Sequence, residues 1–162
     1  MIKKHPESDI SSLADLELSK RGTLYVIGAR TIIDAFVKFK PAGGKGDITI
    51  GNDCVINSGC VFYSGNGISI GDSVAIAANC TLAPVNHEFH KRDISIRSQG
   101  FGKSRGGIII EDDVWIGSNC VLLDGSIIRK GCVIGAGTLI RGEISEYSVV
   151  AGNPMKVLGS RE

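Results

Sequence analysis

From Ile110 onward the chain repeats every six residues. Reading 110–142 in sixes, the first position is Ile110, Ile116, Leu122, Ile128, Ile134 and Ile140, in every block a large aliphatic side chain. The fifth position of the same blocks is Val114, Cys120, Ser126, Cys132, Thr138 and Ile144, usually a small one. Neither a helical recurrence of about 3.6 residues nor a strand alternation of about 2 accounts for such a beat over this length. A stacked repeat does. Each block is then one short strand and a turn, and successive blocks wind around a prism whose interior receives the aliphatic position.

The same phase extends back toward the N-terminus. Large apolar first positions fall at Ile27, Ile33 and Phe39, then at Ile50, Ile56 and Phe62, then at Ile70, Ile76 and Leu82. Each trio ends in an interruption, and the inserted residues are 40–49, 63–69 and 83–109. A further break separates Ile140 from a resumption at Val150. If three blocks make one triangular coil, every insertion leaves the prism at the same corner, and the extras stack along one edge. That edge is where a site is expected. The reading is an all-β column of about five triangular coils over 23–158, with a protruding loop at 83–109 and a short tail at 159–162.

Ahead of it, residues 1–22 place Ile10, Leu13 and Leu16 at helical spacing, with Ser8 or Asp9 as cap and Gly22 as terminator. The spacing predicts a short helix covering the first coil, whose strand edges need protection. The long insertion carries His87 and His90, and Phe89, Ile94, Ile96 and Phe101 supply apolar anchors for an ordered flap. A loop of this size adds nothing to an exact triangular repeat, which points to a functional role.

The 162 residues carry a net charge of +1 and few aromatics, which argues against nucleic acid as a partner. No apolar run approaches the roughly 20 residues of a membrane span, and no signal-peptide core follows Met1, so no membrane insertion and a cytoplasmic location are expected. Glycine, at 22 residues without a triplet pattern, suits frequent tight corners. Cys54, Cys60, Cys80, Cys120 and Cys132 all occupy the fifth position of a block and read as small core fillers. They form no C-x-x-C pair, and the number is odd, so neither a metal site nor a disulfide framework is indicated.

The hexad run, the segment DDVWIG at 112–117, the Asn86-His87 pair opening the long loop and the ending VAGNPMKV at 150–157 together resemble the hexapeptide-repeat acyltransferases. The nearest subgroup is the sugar and polysaccharide O-acetyltransferases of the maltose and galactoside type. The resemblance implies a left-handed parallel β-helix, an exception to the usual crossover hand. It also implies a homotrimer with active sites between subunits, acetyl-CoA as donor and a carbohydrate acceptor, with no metal required.

Residue by residue, the resemblance makes His87 the catalytic base, since a sugar hydroxyl must lose its proton as it attacks a thioester. Asn57 aligns with an acceptor-contacting asparagine, and Asn86 and Glu88 flank the base on the acceptor side. Ser118, Ala136 and Gly137 would line the pantetheine channel, with Trp115 as a candidate wall. Arg141 and Lys156 fall where the family places polar or basic groups for the coenzyme phosphates. Here the pattern departs: Arg141-Gly142 replaces a common Thr-Lys, and Gly159 replaces a further basic residue. Lys91, Arg92, Arg97, Lys103 and Arg105 make the flap basic, suited to an anionic acceptor or a coenzyme phosphate.

Other readings remain open at this level. An N-acetyltransferase acting on an amino sugar needs the same base, and a catalytically silent assembly subunit needs none. A zinc carbonic anhydrase on this fold requires three converging histidines, and only His87 and His90 lie in the repeat region.

Overall fold

The computed structural model describes residues 1–162. Short strands succeed one another around three faces, and each pairs in parallel with the strand one coil above and below. The first coil comprises Ile2–Lys4, Asp9–Ile10 and Asp15–Leu16, and the second comprises Tyr25–Ile27, Ile32–Ile33 and Lys38–Lys40. Later coils start at Ile48–Ile50, Ile68–Ile70, Ile108–Ile110 and Ile127–Ile128. The faces hold seven, eight and six strands, so six coils are complete and a seventh covers two faces. The chain is an all-β, parallel, triangular column, which fits the left-handed β-helix implied by the resemblance.

Vertical registry is kept throughout, although after Ile140 the column resumes at Ile144, stacked on Ile128, so the expected break up to Val150 is a shortened turn and not an insertion. Ile70 pairs with Ile50 and Ile110, Ile76 with Ile56 and Ile116, and Leu82 with Phe62 and Leu122. Identical positions therefore stack into continuous buried columns, and these residues form one core cluster of 29 buried side chains. Tyr25, Phe39 and Phe62 supply the broad end of it. Phe39 stacks on Phe62 at 5.1 Å, and the Tyr25 ring meets Phe39 edge-on at 5.4 Å. Burial first, then the nearby Glu17 and Asp15, pushes the Tyr25 phenol up to about 12, and its hydroxyl donates to the Glu17 carbonyl.

Corners follow a fixed recipe. The fourth hexad position takes a left-handed backbone, as in Arg30, Asp53, Ser73, Asn79, Asp113 and Asn119, with glycine at 59, 125, 131 and 137. Such angles cost a non-glycine residue about 1–2 kcal/mol, which is why Asp, Asn and Gly dominate here. The small fifth position turns inward and hydrogen-bonds a corner carbonyl of the next coil. Cys54 donates to Gly71 O, Cys60 to Ala77 O, Cys80 to Gly117 O, Cys120 to Gly135 O and Cys132 to Ser145 O, at 3.0 to 3.2 Å. On the outside of one corner a chain of side-chain oxygens caps the free amides: Asn52 accepts from Ala29 N, Asp72 from Asn52 N, and Asp112 from Asp72 N. All five cysteines are buried, and the neighbouring Cys80 thiol together with burial holds the Cys120 thiol well above its ordinary value. They are core residues.

Two further expectations are corrected. Residues 1–22 form no helix; they are the first coil, so complete coils number six rather than about five. Ile10 and Leu16 are six apart and sit in register with Ile33 and Phe39. Leu13, which completed the apparent helical face, is 60% exposed. The inner position of the first strand is Lys4, paired with Ile27, so the aliphatic marker of the repeat is missing there. The other correction is at the C-terminus, where Lys156–Ser160 folds back antiparallel on Ser148–Ala151, extending the ordered structure beyond 158.

All excursions leave between the third face and the first. They lie between Leu16 and Tyr25, Lys40 and Ile48, Tyr63 and Ile68, and Ala83 and Ile108. The one α-helix, Ile96–Gln99, is inside the last of these, and no helix is long and apolar enough to cross a membrane. Replacing a fully buried rung should show the columnar core directly: Ile116→Ala is expected to cost about 2–5 kcal/mol in urea unfolding, whereas exposed Ile109→Ala changes stability little.

Candidate active site

The flap is an ordered structure built on the insertion edge. Its base is a two-stranded frame in which His87 bridges Phe101 in antiparallel fashion. The Glu88 N–H donates to Gly100 O at 3.0 Å, and the Gly102 N–H donates to Asn86 O at 2.9 Å. His87 is thus fixed by bonds on both sides of it. The two strands of the frame run close at Gly102, where a Cβ would stand 3.1 Å from Glu88 N and 3.2 Å from the His87 carbonyl. The imidazole of His87 lies 4.9 Å from the Phe101 ring, centroid to centroid, and remains exposed. Asn86 turns its Oδ1 onto the His87 N–H at 3.0 Å.

Beyond the frame, Gln99 holds the tip together. Its Oε1 accepts from Lys91 N, and its Nε2 donates to the carbonyls of Lys91 and Ile94. Ser95 caps the short helix by accepting from Ser98 N. On the return path Arg105 N donates to Oδ2 of buried Asp124 at 2.7 Å. Elsewhere Arg30, Lys38, Arg129 and Arg161 pair with carboxylates. The five cations of the flap form no such pair.

Glu88 serves a different imidazole from the adjacent one. Its carboxylate meets Nδ1 of His90 and also accepts the Phe89 and His90 N–H groups. The His90 ring, then these amides, hold the Glu88 carboxyl below its ordinary range.

The remaining candidates fall on other parts of the column. Asn57, Ser118, Ala136 and Gly137 occupy the edge between the second and third faces, in coils three, five and six. That edge is lined by small groups, and around Gly137 a Cβ would meet nothing within 4 Å. Asn57 gives its Nδ2 to Ile76 O at 2.9 Å, so its amide nitrogen is occupied in capping a corner. Trp115 stands on the second face between Ala75 and Val133, with 54% of its surface exposed. Arg141 lies at the insertion edge. With Leu139, Asn153, Pro154 and Met155 it lines a cleft of about 380 Å³ beside the terminal hairpin, and Lys156 follows directly. Within one protomer the third face separates the His87 frame from the small-residue edge. The sequence reading missed the partner strand at 100–102, the stitching by Gln99 and the Glu88–His90 pair, none of which produces a periodic signal.

Residues 107–142 match the family described as "Bacterial transferase hexapeptide (six repeats)", and 47–84 match "Hexapeptide repeat of succinyl-transferase". Two stretches of the chain thus carry the hexapeptide repeat of these transferase families. It is 35% identical over 150 residues to "Probable acetyltransferase Rv3034c" of Mycobacterium tuberculosis, covering 93% of this chain and 46% of that one. It is 28% identical over 142 residues to "Putative lipopolysaccharide biosynthesis O-acetyl transferase WbbJ" of Escherichia coli, covering 85% of this chain and 69% of the relative. The chain spans about half the length of the first of these curated relatives. Among solved structures it superposes on a mutant of AntD, an N-acyltransferase from Bacillus cereus in complex with dTDP-4-amino-4,6-dideoxyglucose and coenzyme A. That match has a TM-score of 0.81 at 21% identity and covers 99% of this chain and 83% of the other, a likeness of fold.

The frame gives a direct expectation for exchange measurements. Gly102→Val should weaken hydrogen-exchange protection of the amides at positions 88 and 102 while leaving the protection of the hexad strands intact, since no core side chain takes part.

Proposed function

We propose that the chain transfers an acetyl group from acetyl-CoA to a hydroxyl of a sugar or surface-polysaccharide precursor, with His87 as general base. The observation that carries the reading is the exposed imidazole of His87, set on a pinned stretch of backbone at the insertion edge of a hexapeptide column. The matches to the hexapeptide transferase families and the printed activities of the relatives support the same chemistry.

In the proposed step a neutral imidazole takes the acceptor hydroxyl proton as the oxygen attacks the thioester carbonyl. The tetrahedral intermediate collapses with loss of the coenzyme thiolate, which takes the proton back from the imidazolium. No acyl-enzyme is required. The pantetheine arm would lie along Ser118, Ala136 and Gly137, where small side chains let a ligand approach the backbone. Trp115 would form a wall, and Arg141 and Lys156 would meet the coenzyme phosphates. Asn57, Asn86 and Glu88 belong to the acceptor side. Because the His87 frame and the small-residue edge lie on opposite borders of the third face, a complete site is best formed between neighbouring columns, as in a homotrimer.

A second reading replaces the hydroxyl by the amine of an amino sugar. It is favoured by the fold likeness to an N-acyltransferase holding an amino-sugar nucleotide. Both acceptors need a base in the same place. A screen of free sugars, nucleotide sugars and lipid-linked glycans for labelled acetyl incorporation separates the two.

His87→Ala is expected to lower kcat by about 10²–10⁴-fold without altering the oligomer seen by light scattering. Retained turnover removes His87 from the mechanism. Replacing Lys91, Arg92, Arg97, Lys103 and Arg105 with glutamine together should raise the Michaelis constant of an anionic substrate and flatten its dependence on ionic strength. Unchanged constants for both substrates dispose of that role.

A further inference from the structure

The two imidazoles of the flap are held in opposite ways. The His87 ring packs against Phe101, and its ring nitrogens have no hydrogen-bond partner in the protomer. The His90 ring is clamped: Nδ1 meets Glu88 Oε1, and the Phe89 ring stacks on it at 4.6 Å with planes 16° apart. Glu88 Oε1 is anchored in turn by the Phe89 N–H at 3.0 Å and the His90 N–H at 3.1 Å. A carboxylate has no proton to give, so in the neutral ring the proton sits on Nδ1, and Nε2 presents a lone pair. His90 keeps 78% of its side chain exposed, so this lone pair faces outward and is open to a ligand.

We infer that Glu88 and His90 form the acceptor-recognition device of the flap, in which His90 Nε2 accepts a hydrogen bond from a donor group of a polyhydroxylated or amino-bearing sugar, beside the group that is acylated. Glu88 is a positioning residue that fixes the tautomer. This rests on the acyl-transfer reading above.

The chemistry of the pair decides which substrate it serves. Ionised coenzyme phosphates are hydrogen-bond acceptors, and a lone pair backed by a carboxylate repels them. Sugar hydroxyls and amines are donors, and they match it. Glu88 gives its backbone N–H to the frame around His87, while its carboxylate and the His90 ring reach beyond that frame.

The test uses the full chain, acetyl-CoA, and two acceptor probes, methyl β-D-galactoside and dTDP-4-amino-4,6-dideoxyglucose, with thiol release as the readout. His90→Ala and Glu88→Ala are each expected to raise the acceptor KM about tenfold, the worth of one good hydrogen bond. The KM of acetyl-CoA should stay constant and kcat should fall by less than about threefold. The double variant should be no worse than either single one, because the two groups act as a unit. His90→Gln, which can bring an amide oxygen near the place of Nε2, should recover most of the loss. Nitrogen-15 spectra of histidine-labelled protein should report the Nδ1–H tautomer of His90 in the wild type and its loss in Glu88→Ala. Unchanged acceptor constants, a kcat loss as deep as that of His87→Ala, or a tautomer indifferent to Glu88→Ala each overturn the inference while the acyl-transfer reading stands. A wild type that releases no thiol with either probe overturns that reading, and the inference with it.

Discussion

Everything in this molecule depends on vertical registry between coils. A parallel ladder satisfies the backbone only when each strand lies directly above its predecessor, and the core closes only when large side chains then fall above large ones. Ile70 beneath Ile110 and Ile76 beneath Ile116 meet both demands at once. A shift of one residue would turn the aliphatic column outward and point the thiols of Cys80 and Cys120 away from the corner carbonyls they serve. The small fifth position therefore does more than fill space. It satisfies backbone carbonyls at bends where the ladder cannot.

Registry also dictates where irregular chain is tolerated. An excursion can leave the column without penalty only if it returns in the phase at which it left, and here every excursion does so at the border of the third and first faces. The flap inherits a rigid foundation as a result. The backbone at His87 does not rely on loop packing for its position, since its neighbours Glu88 and Asn86 make strand-like bonds to Gly100 and Gly102. Glycines beneath the flap permit this closeness: a side chain at Gly43 or Gly65 would run into Val85.

Most of the architecture was legible because a buried column writes its period into the sequence. The six-residue beat, the inward cysteines and the shared corner of the insertions all followed from apolar spacing alone. The first coil escaped because its inner position is Lys4 and because Leu13 happened to complete a helix-like triplet with Ile10 and Leu16. An end coil has one neighbour rather than two, so the pressure that keeps the marker apolar is relaxed there. Within the flap the reading located His87, Asn86 and Glu88 but not what each touches. Pairing across a loop depends on backbone angles that no hydropathy pattern records, and Glu88 reaches the second residue after it, His90, rather than the preceding one.

Because each excursion re-enters at the phase it left, the number of residues it contains is invisible to the column. Lengthening or rewriting the flap beyond its footing at Val85 and Arg105 changes what is displayed at the edge and leaves the hexad columns as they are. Ligand preference and thermal endurance are consequently inherited through separate segments of this chain, and a lineage can revise the first repeatedly without drawing on the second.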